Sequence, residues 1–201
     1  MRVTNKKIFE KRRREIALIA ATLFVKQGYL KTSMRNIAEK CGISIGTLYY
    51  YIKSKDEILS LFHQITSDEL NKFDDENLVS QGHATPKQVL INAIDAMISF
   101  INETEDITVF WFQEAKNLNH QQTQLMLKRE EYHVSLLKNI LKWGCEQGQF
   151  TISDINLAAH NIIVVCDMWA FRRWILRKNY TLDQFKQAQT ELILAQVKAS
   201  P

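Results

Sequence analysis

The chain has 201 residues, of which 46% are hydrophobic and 24% are charged, a balance typical of globular proteins. Its six glycines and two prolines are too few for the many turns of an all-β fold, so we expect an all-α protein. The net charge of +4 conceals an asymmetry, because residues 1–57 carry 13 basic and 5 acidic side chains whereas residues 58–201 carry 13 and 17. A basic first quarter favours a chain that meets nucleic-acid phosphate there.

The sequence lacks the patterns that would indicate a disulfide framework, a metal site, secretion or a membrane span. Three cysteines, at positions 41, 145 and 166, have no C-x-x-C spacing, so neither a disulfide framework nor a zinc site is expected. The basic N-terminal segment is not followed by the apolar run of a secretory signal. The most apolar stretch, residues 155–171, is interrupted by His160, Asn161 and Asp167, which favours a buried helix over a membrane span. We therefore expect a cytoplasmic protein without metal, cofactor or membrane contact.

Start and stop signals along the chain predict about nine helices, three short ones first and longer ones after. The predicted starts follow the capping residues Thr32-Ser33, Ser44, Ser54 with Glu57, Thr85-Pro86 with Gln88, Asn119 with Gln122, Ser153 or Asp154, and Thr181 with Gln184. Glycines provide the stops at Gly28 and Gly42, and Gly144 with Gly148 marks the end of a long helix over 119–147. A single helix is expected over 153–178, and the polar segment 74–86 is expected to be a loop.

Residues 32–59 have the pattern of a helix-turn-helix. Ala38 permits close approach of two crossing helices, and Gly42, four residues later, suits the left-handed backbone of the turn between them. Ile43 and Leu48 are expected to hold the two helices together from inside. The second helix then presents short or flat side chains, which suits an element that enters the major groove of DNA, about 12 Å wide.

The segment IALIAATLFVKQGYLKTSMRNIAEKCGISIGTLYYYIKSKDEIL resembles the DNA-binding domain of the TetR family of bacterial transcription regulators. The shared features are F-x-x-x-G-Y, T-S-x-x-x-I-A, G-(I/V)-S-x-G-T-L-Y-Y and the K-S-K-(D/E) start of the next helix. This resemblance implies an N-terminal three-helix domain at 1–55 and a ligand-binding and dimerisation domain at 56–201, an antiparallel helical bundle. It implies DNA contacts at Thr32, Ser33, Arg35, Ser44, Ile45, Gly46, Thr47, Tyr49, Tyr50, Tyr51, Lys53 and Lys55. Three consecutive tyrosines cannot all face one way, so at least one is expected to pack inward.

Residues 110–185 are similar to the C-terminal domains of TetR-family regulators that respond to acyl-CoA or fatty acids. The shared features are E-x-K-N-L, Y-x-x-x-x-L-x-x-I-L-x-x-G, G-x-F, D-x-x-L-A-A and W-x-x-R-R-W. The similarity implies a small apolar effector such as an acyl-CoA or fatty acid. Candidate ligand-binding residues are Phe110, Trp111, Met126, His133, Trp143, Met168, Trp169, Arg172 and Arg173, although core packing or an interface role remains open for each.

Three functions other than that of a repressor released by an acyl-CoA make different demands on the sequence. A regulator of drug efflux would bind a lipophilic cation, with Glu114 or Glu130 beside Trp111 as its carboxylate. An architectural DNA-binding protein would need no pocket. An enzyme is not expected, since the chain has no Gly-rich phosphate loop, nucleophile elbow or metal motif. The expected partners are a palindromic double-stranded operator, a second copy of the chain joined through the last two long helices, and the effector.

Overall fold

The computed structural model describes residues 3–71 and 85–197, and within these ranges it contains ten α-helices and no strand. The helices are α1 (Val3–Gln27), α2 (Met34–Lys40), α3 (Ile45–Tyr51), α4 (Lys55–Asn71), α5 (Pro86–Glu103), α6 (Glu105–Glu114), α7 (His120–Glu146), α8 (Ile155–Phe171), α9 (Arg173–Asn179) and α10 (Leu182–Val197). A short 3₁₀-helix (Ala115–Asn117) follows α6. The all-α expectation is confirmed. The loop expected at 74–86 lies outside the described residues except for its last two, of which Thr85 caps α5 and Pro86 begins it.

Helix starts follow the capping chemistry expected from the sequence. The side chains of Ser33, Ser44, Thr85 and Asp154 each accept a hydrogen bond from a backbone N–H in the first turn that follows. Asn119 and Gln122, and likewise Thr181 and Gln184, form reciprocal boxes. Each cap satisfies N–H groups that have no partner inside the helix.

The helix expected over 153–178 is two helices, because the backbone leaves the helical region at Arg172 (φ −115°, ψ 24°). Arg172 is the C-cap of α8, its N–H donating to the Met168 carbonyl, and α9 begins at the next residue. No glycine or proline marks this position, so the break carries no local signal.

The described residues form two compact units. Unit 1 comprises residues up to Asp68 together with Asp106–Leu127, and unit 2 comprises the rest. The division expected after residue 55 stays a prediction. In unit 1, the fully buried rings of Phe24, Phe62 and Phe110 join α1, α4 and α6, with centroids 5.4–6.1 Å apart. This aromatic core fixes α4 and α6 against α1.

In unit 2, helices α5, α8 and α10 pack on one another. Trp169 of α8 is 3% exposed, its Nε1 donates to Asn102 Oδ1 of α5 at 2.9 Å, and its ring lies 5.0 Å from that of Phe185 in α10. One face of α8 is therefore buried in the core, as its composition led us to expect, whereas Leu157 and Val164 on another face are exposed. In the ranges that the structure describes, no helix is long and apolar enough to span a lipid bilayer.

Candidate DNA-binding surface and effector site

The turn between α2 and α3 has the geometry expected of a helix-turn-helix. Gly42 adopts φ +66°, a left-handed conformation that glycine adopts without a Cβ penalty. Its N–H donates to the Glu39 carbonyl at 3.1 Å, and the Ile43 N–H donates to the Ala38 carbonyl, also at 3.1 Å. These bonds end α2 and turn the chain towards Ser44, which caps α3.

α3 is anchored by one face and presents the other to solvent. Leu48 and the following Ile52 are 0% exposed, and Ile43 is half-buried. The exposed residues of α3 and its cap are Ser44, Ile45, Gly46, Thr47, Tyr49 and Tyr50, all of them predicted DNA contacts. Because its inner face is locked, the outer face is held in a single orientation.

The three tyrosines divide as expected. Tyr49 is exposed, whereas Tyr51 is half-buried with its ring 5.1 Å from that of Phe9 in α1. Tyr50 meets Phe9 edge-on at 5.5 Å and remains 57% exposed. Phe9 therefore supports this part of α3, a role that the sequence analysis missed. The sequence feature that could have indicated this role is Phe9 itself, a single aromatic residue within a run of basic residues.

The predicted contacts at the start of α2 have different environments. Ser33 and Arg35 are exposed. Thr32 is 1% exposed, and both its hydroxyl and its N–H donate to the Gly28 carbonyl, at 2.9 and 3.2 Å. Its side chain fastens the turn after α1, so this geometry favours an indirect role at the surface rather than a phosphate contact.

The two predicted phosphate-binding lysines also differ. Lys53 is exposed, and its Nζ donates to the Tyr49 carbonyl at 2.7 Å. Lys55 is half-buried, its Nζ donates to the Tyr29 carbonyl at 2.7 Å, and it lies 4.4 Å from the centre of the Tyr29 ring. Burial lowers the pKa of Lys55. Lys55 ties α4 to the end of α1, and a phosphate would have to share its ammonium with that contact.

The candidate effector residues in unit 1 are Phe110, Trp111 and Met126. Phe110 is fully buried, Trp111 is 4% exposed and Met126 is half-buried. Phe110 belongs to the aromatic core described above. The Trp111 Nε1–H is buried, and it has no hydrogen-bond partner within the described residues. An unsatisfied buried donor costs about 1–3 kcal/mol, so this indole is the residue of the three best suited to meet an acceptor on a ligand.

The other candidates lie in unit 2. Trp143, Met168 and His133 are half-buried, whereas Trp169 is part of the core. Arg172 is exposed. Arg173 forms an ion pair of 3.2 Å with Glu105, which also accepts from Arg177.

Two grooves occur elsewhere, and neither is lined by a predicted effector residue. One, of about 430 Å³, is lined by Lys87, Gln149, Phe150, Glu191, Leu194 and Ala195. The other, of about 260 Å³, is lined by Glu10, Lys11, Arg14, Leu61, Gln64 and Ile65. Over residues 3–71 and 85–197, no group of three or more His, Cys, Asp or Glu side chains is arranged to hold a metal ion.

Comparison with known proteins matches both parts of the chain. The family model for bacterial regulatory proteins of the tetR family matches residues 19–61, and the model for the tetracyclin repressor-like C-terminal domain matches residues 83–174. The chain is 26% identical over 185 residues to the transcriptional regulator HbdR of Aromatoleum sp. (strain CIB), covering 91% of this chain and 79% of that protein. It is 28% identical over 169 residues to the transcriptional repressor KstR2 of Rhodococcus jostii, covering 81% and 79%. These relatives are named as regulators of transcription and not as enzymes.

A solved structure has the same fold. The Bacillus subtilis transcriptional regulator FadR, in complex with stearoyl-CoA, superimposes with a TM-score of 0.69 at 23% identity, covering 90% of this chain and 97% of that chain.

Proposed function

Because the chain belongs to the tetR family of bacterial regulatory proteins, we propose that it is a repressor that binds operator DNA through α3 and leaves it when an apolar effector binds. The chain is a DNA-binding transcription regulator. The observation that supports DNA recognition by α3 is its exposed face, which is kept in place because Leu48 and Ile52 on the opposite side are buried. A regulator of this kind acts where the chromosome lies, so we place it in the cytoplasm.

Replacing Tyr50 by Ala tests the α3 surface. Tyr50 is 57% exposed and is held by ring contacts with Phe9 and Tyr51, so its loss removes a contact with DNA and little of the core. We expect operator affinity to fall about tenfold or more, equivalent to about 1.4 kcal/mol. Gel-shift titration with a duplex that the wild-type protein selects from a randomised pool measures this. Tyr180→Ala, at a 44% exposed tyrosine in unit 2, is the control, and equal affinities for the two variants would remove Tyr50 from the site.

Salt dependence tests the lysines. A side chain that contacts one phosphate contributes about one unit to the slope of log affinity against log salt. We expect Lys53→Ala to lower that slope by about one. Lys55→Ala should lower it equally if Lys55 contacts phosphate, and should leave it unchanged if the bond to the Tyr29 carbonyl is its whole role.

We also propose a homodimer that reads a palindromic operator. Leu157 and Val164, seven residues apart on one face of α8, are 56% and 57% exposed, and Leu192 of α10 is 60% exposed. A second copy of the chain would cover these apolar side chains and place two α3 helices about one turn of DNA apart. Val164→Glu should yield monomers in light scattering and abolish operator binding, whereas the same change at exposed Ile8 should leave the dimer intact. A dimeric Val164→Glu variant would exclude this face.

For the effector we propose an acyl-CoA or a fatty acid. FadR of Bacillus subtilis was solved in complex with stearoyl-CoA, and this chain has the buried indole of Trp111 beside an aromatic core, its N–H without a partner among residues 3–71 and 85–197. An acyl carbonyl would accept from that donor. Arg172 and Arg173 remain predicted ligands for phosphate or carboxylate. The second candidate is a lipophilic cation, for which Trp111 would supply a ring face instead of a donor.

Calorimetric titration with a series of acyl-CoAs, fatty acids and lipophilic cations separates these effectors. Trp111→Phe removes the indole donor together with part of the ring system, so it should weaken acyl-CoA binding and, through the cavity that it leaves at this buried position, lower the free energy of unfolding. Trp174→Phe, at a 69% exposed tryptophan, should change neither. Binding of the cations at micromolar concentration without binding of any acyl-CoA or fatty acid would refute the acyl-CoA proposal and leave the DNA-binding function standing.

A further inference from the structure

Three elements of unit 1 meet at one carboxylate. Asp56 Oδ1, in the first turn of α4, accepts from the Tyr29 hydroxyl at 3.1 Å and from Gln122 Nε2 at 2.8 Å. Tyr29 lies just beyond the end of α1, and Gln122 lies in the first turn of α7. We call Tyr29, Asp56 and Gln122 the Asp56 junction. Its bonds join residues 27 and 66 positions apart.

Gln122 is held at both ends of its amide. Its Oε1 accepts from the Asn119 N–H at 3.0 Å, which caps α7, while its Nε2 donates to Asp56. The side chain is 7% exposed, so water does not readily replace a lost partner. Rotating the amide by half a turn would set an oxygen against the Asp56 carboxylate and an NH₂ against the Asn119 N–H. The position of α7 and the position of Asp56 are therefore coupled.

The first turn of α4 is tied in turn to the DNA-binding helices. Glu57 accepts from the Lys53 N–H at 2.6 Å, two residues after the end of α3, and from Arg13 of α1 at 2.5 Å. A displacement at Asp56 therefore acts on the segment that ends α3. One turn beyond Gln122, α7 carries Met126, a candidate effector residue.

We propose that Gln122 is the positioning residue through which α7 reports the effector state to α3, acting on Asp56. The inference rests on the proposed function, because it needs an effector that displaces α7. The side-chain amide of Gln122 would then transmit the displacement of α7 to α4 while contacting neither DNA nor the effector.

Hydrogen–deuterium exchange without effector tests the junction by itself. Gln122→Glu keeps an oxygen for the Asn119 N–H and replaces the donor to Asp56 with a second negative group. We expect faster exchange at residues 53–60, and Asp56→Ala should conversely speed exchange at residues 119–123. Gln121→Glu, at the exposed neighbouring position, introduces the same charge and should leave both segments unchanged. Unchanged exchange at 53–60 in Gln122→Glu would overturn the junction.

The second measurement is the ratio of operator affinities with and without stearoyl-CoA. Allosteric ratios are typically about 5–150, and we expect Gln122→Glu to lower the wild-type ratio by about fivefold or more while calorimetry shows stearoyl-CoA still bound. A ratio equal to that of the wild type and of Gln121→Glu would overturn the inference while the proposed function stands. If wild-type DNA binding does not respond to stearoyl-CoA, the acyl-CoA proposal fails, and the exchange experiment alone decides the junction.

Discussion

Gly144 lies inside α7, where replacement by Ala would ordinarily stabilise a helix by about 1 kcal/mol. Here a Cβ would lie 1.9 Å from Cδ2, 2.2 Å from Cε2 and 2.7 Å from Cγ of Phe150. Carbon atoms in contact are normally about 3.5–4.0 Å apart, so the Phe150 ring would have to move by about 1.5 Å. Phe150 is only 5% exposed and its N–H donates to the Gly144 carbonyl at 3.1 Å, which restricts that movement.

We therefore expect Gly144→Ala to destabilise the protein by about 1 kcal/mol, since overpacking costs about 1–3 kcal/mol and the gain in helix propensity offsets about 1 kcal/mol of that. Urea unfolding at fixed protein concentration measures the change, because dimerisation makes stability depend on concentration. Gly46→Ala is the control, since its Cβ would meet only Ser44 Oγ at 3.8 Å, and it should not destabilise.

The decisive comparison uses Phe150→Ala as the background. That change alone should cost about 3–5 kcal/mol. Adding Gly144→Ala to it should then stabilise by up to about 1 kcal/mol, because the ring atoms that caused the clash are gone. A Gly144→Ala variant that is equally destabilising in both backgrounds would refute the steric explanation.

Three further changes test other parts of the structure. The pKa of Tyr29 is raised above 10.0, mainly by burial and then by a neighbouring carboxylate. The contribution of Tyr29 to the free energy of unfolding is therefore complete below pH 10 and declines as the pH rises further. Tyr29→Phe should flatten that decline in urea titrations between about pH 9 and 11. Asp154→Ala should lower the free energy of unfolding by about 1 kcal/mol through loss of the α8 cap, and Asp154→Ser should restore most of it. Glu105→Gln removes the carboxylate that accepts from Arg173 and Arg177, so stability should change by less than about 1 kcal/mol. Calorimetry should then show tighter and more salt-sensitive CoA binding, and unchanged affinity would argue against a phosphate role for the two arginines.

Much of the DNA-binding surface was predictable from the sequence because its determinants are local. The caps of α2 and α3 act within three residues, and Gly42 sets the turn through its own backbone. The helical period fixed which side of α3 faces inward, and Leu48 is buried as expected. The resemblance to the TetR family implied an all-α fold for the rest of the chain as well, and the comparisons confirm that fold class.

Other features depend on residues far apart in the chain. Burial of Thr32 depends on the turn after α1, and the support of Tyr50 and Tyr51 depends on Phe9, some forty positions earlier. Gly144, expected to mark a helix end, instead accommodates the Phe150 ring, while Gly148 has the left-handed conformation of a helix stop (φ +67°).

The sequence by itself determined the helix starts, the helix-turn-helix and the charge of the DNA-binding end, since each follows from neighbours within about one turn of helix. Only the tertiary structure decided that Arg172 divides a helix, that the buried Trp111 donor meets no acceptor in the described part of the chain, and that Asp56 joins Tyr29 to Gln122. The physical reason is that a hydrogen bond or a ring contact depends on distances set by packing, and periodicity specifies a face but not the partner opposite it.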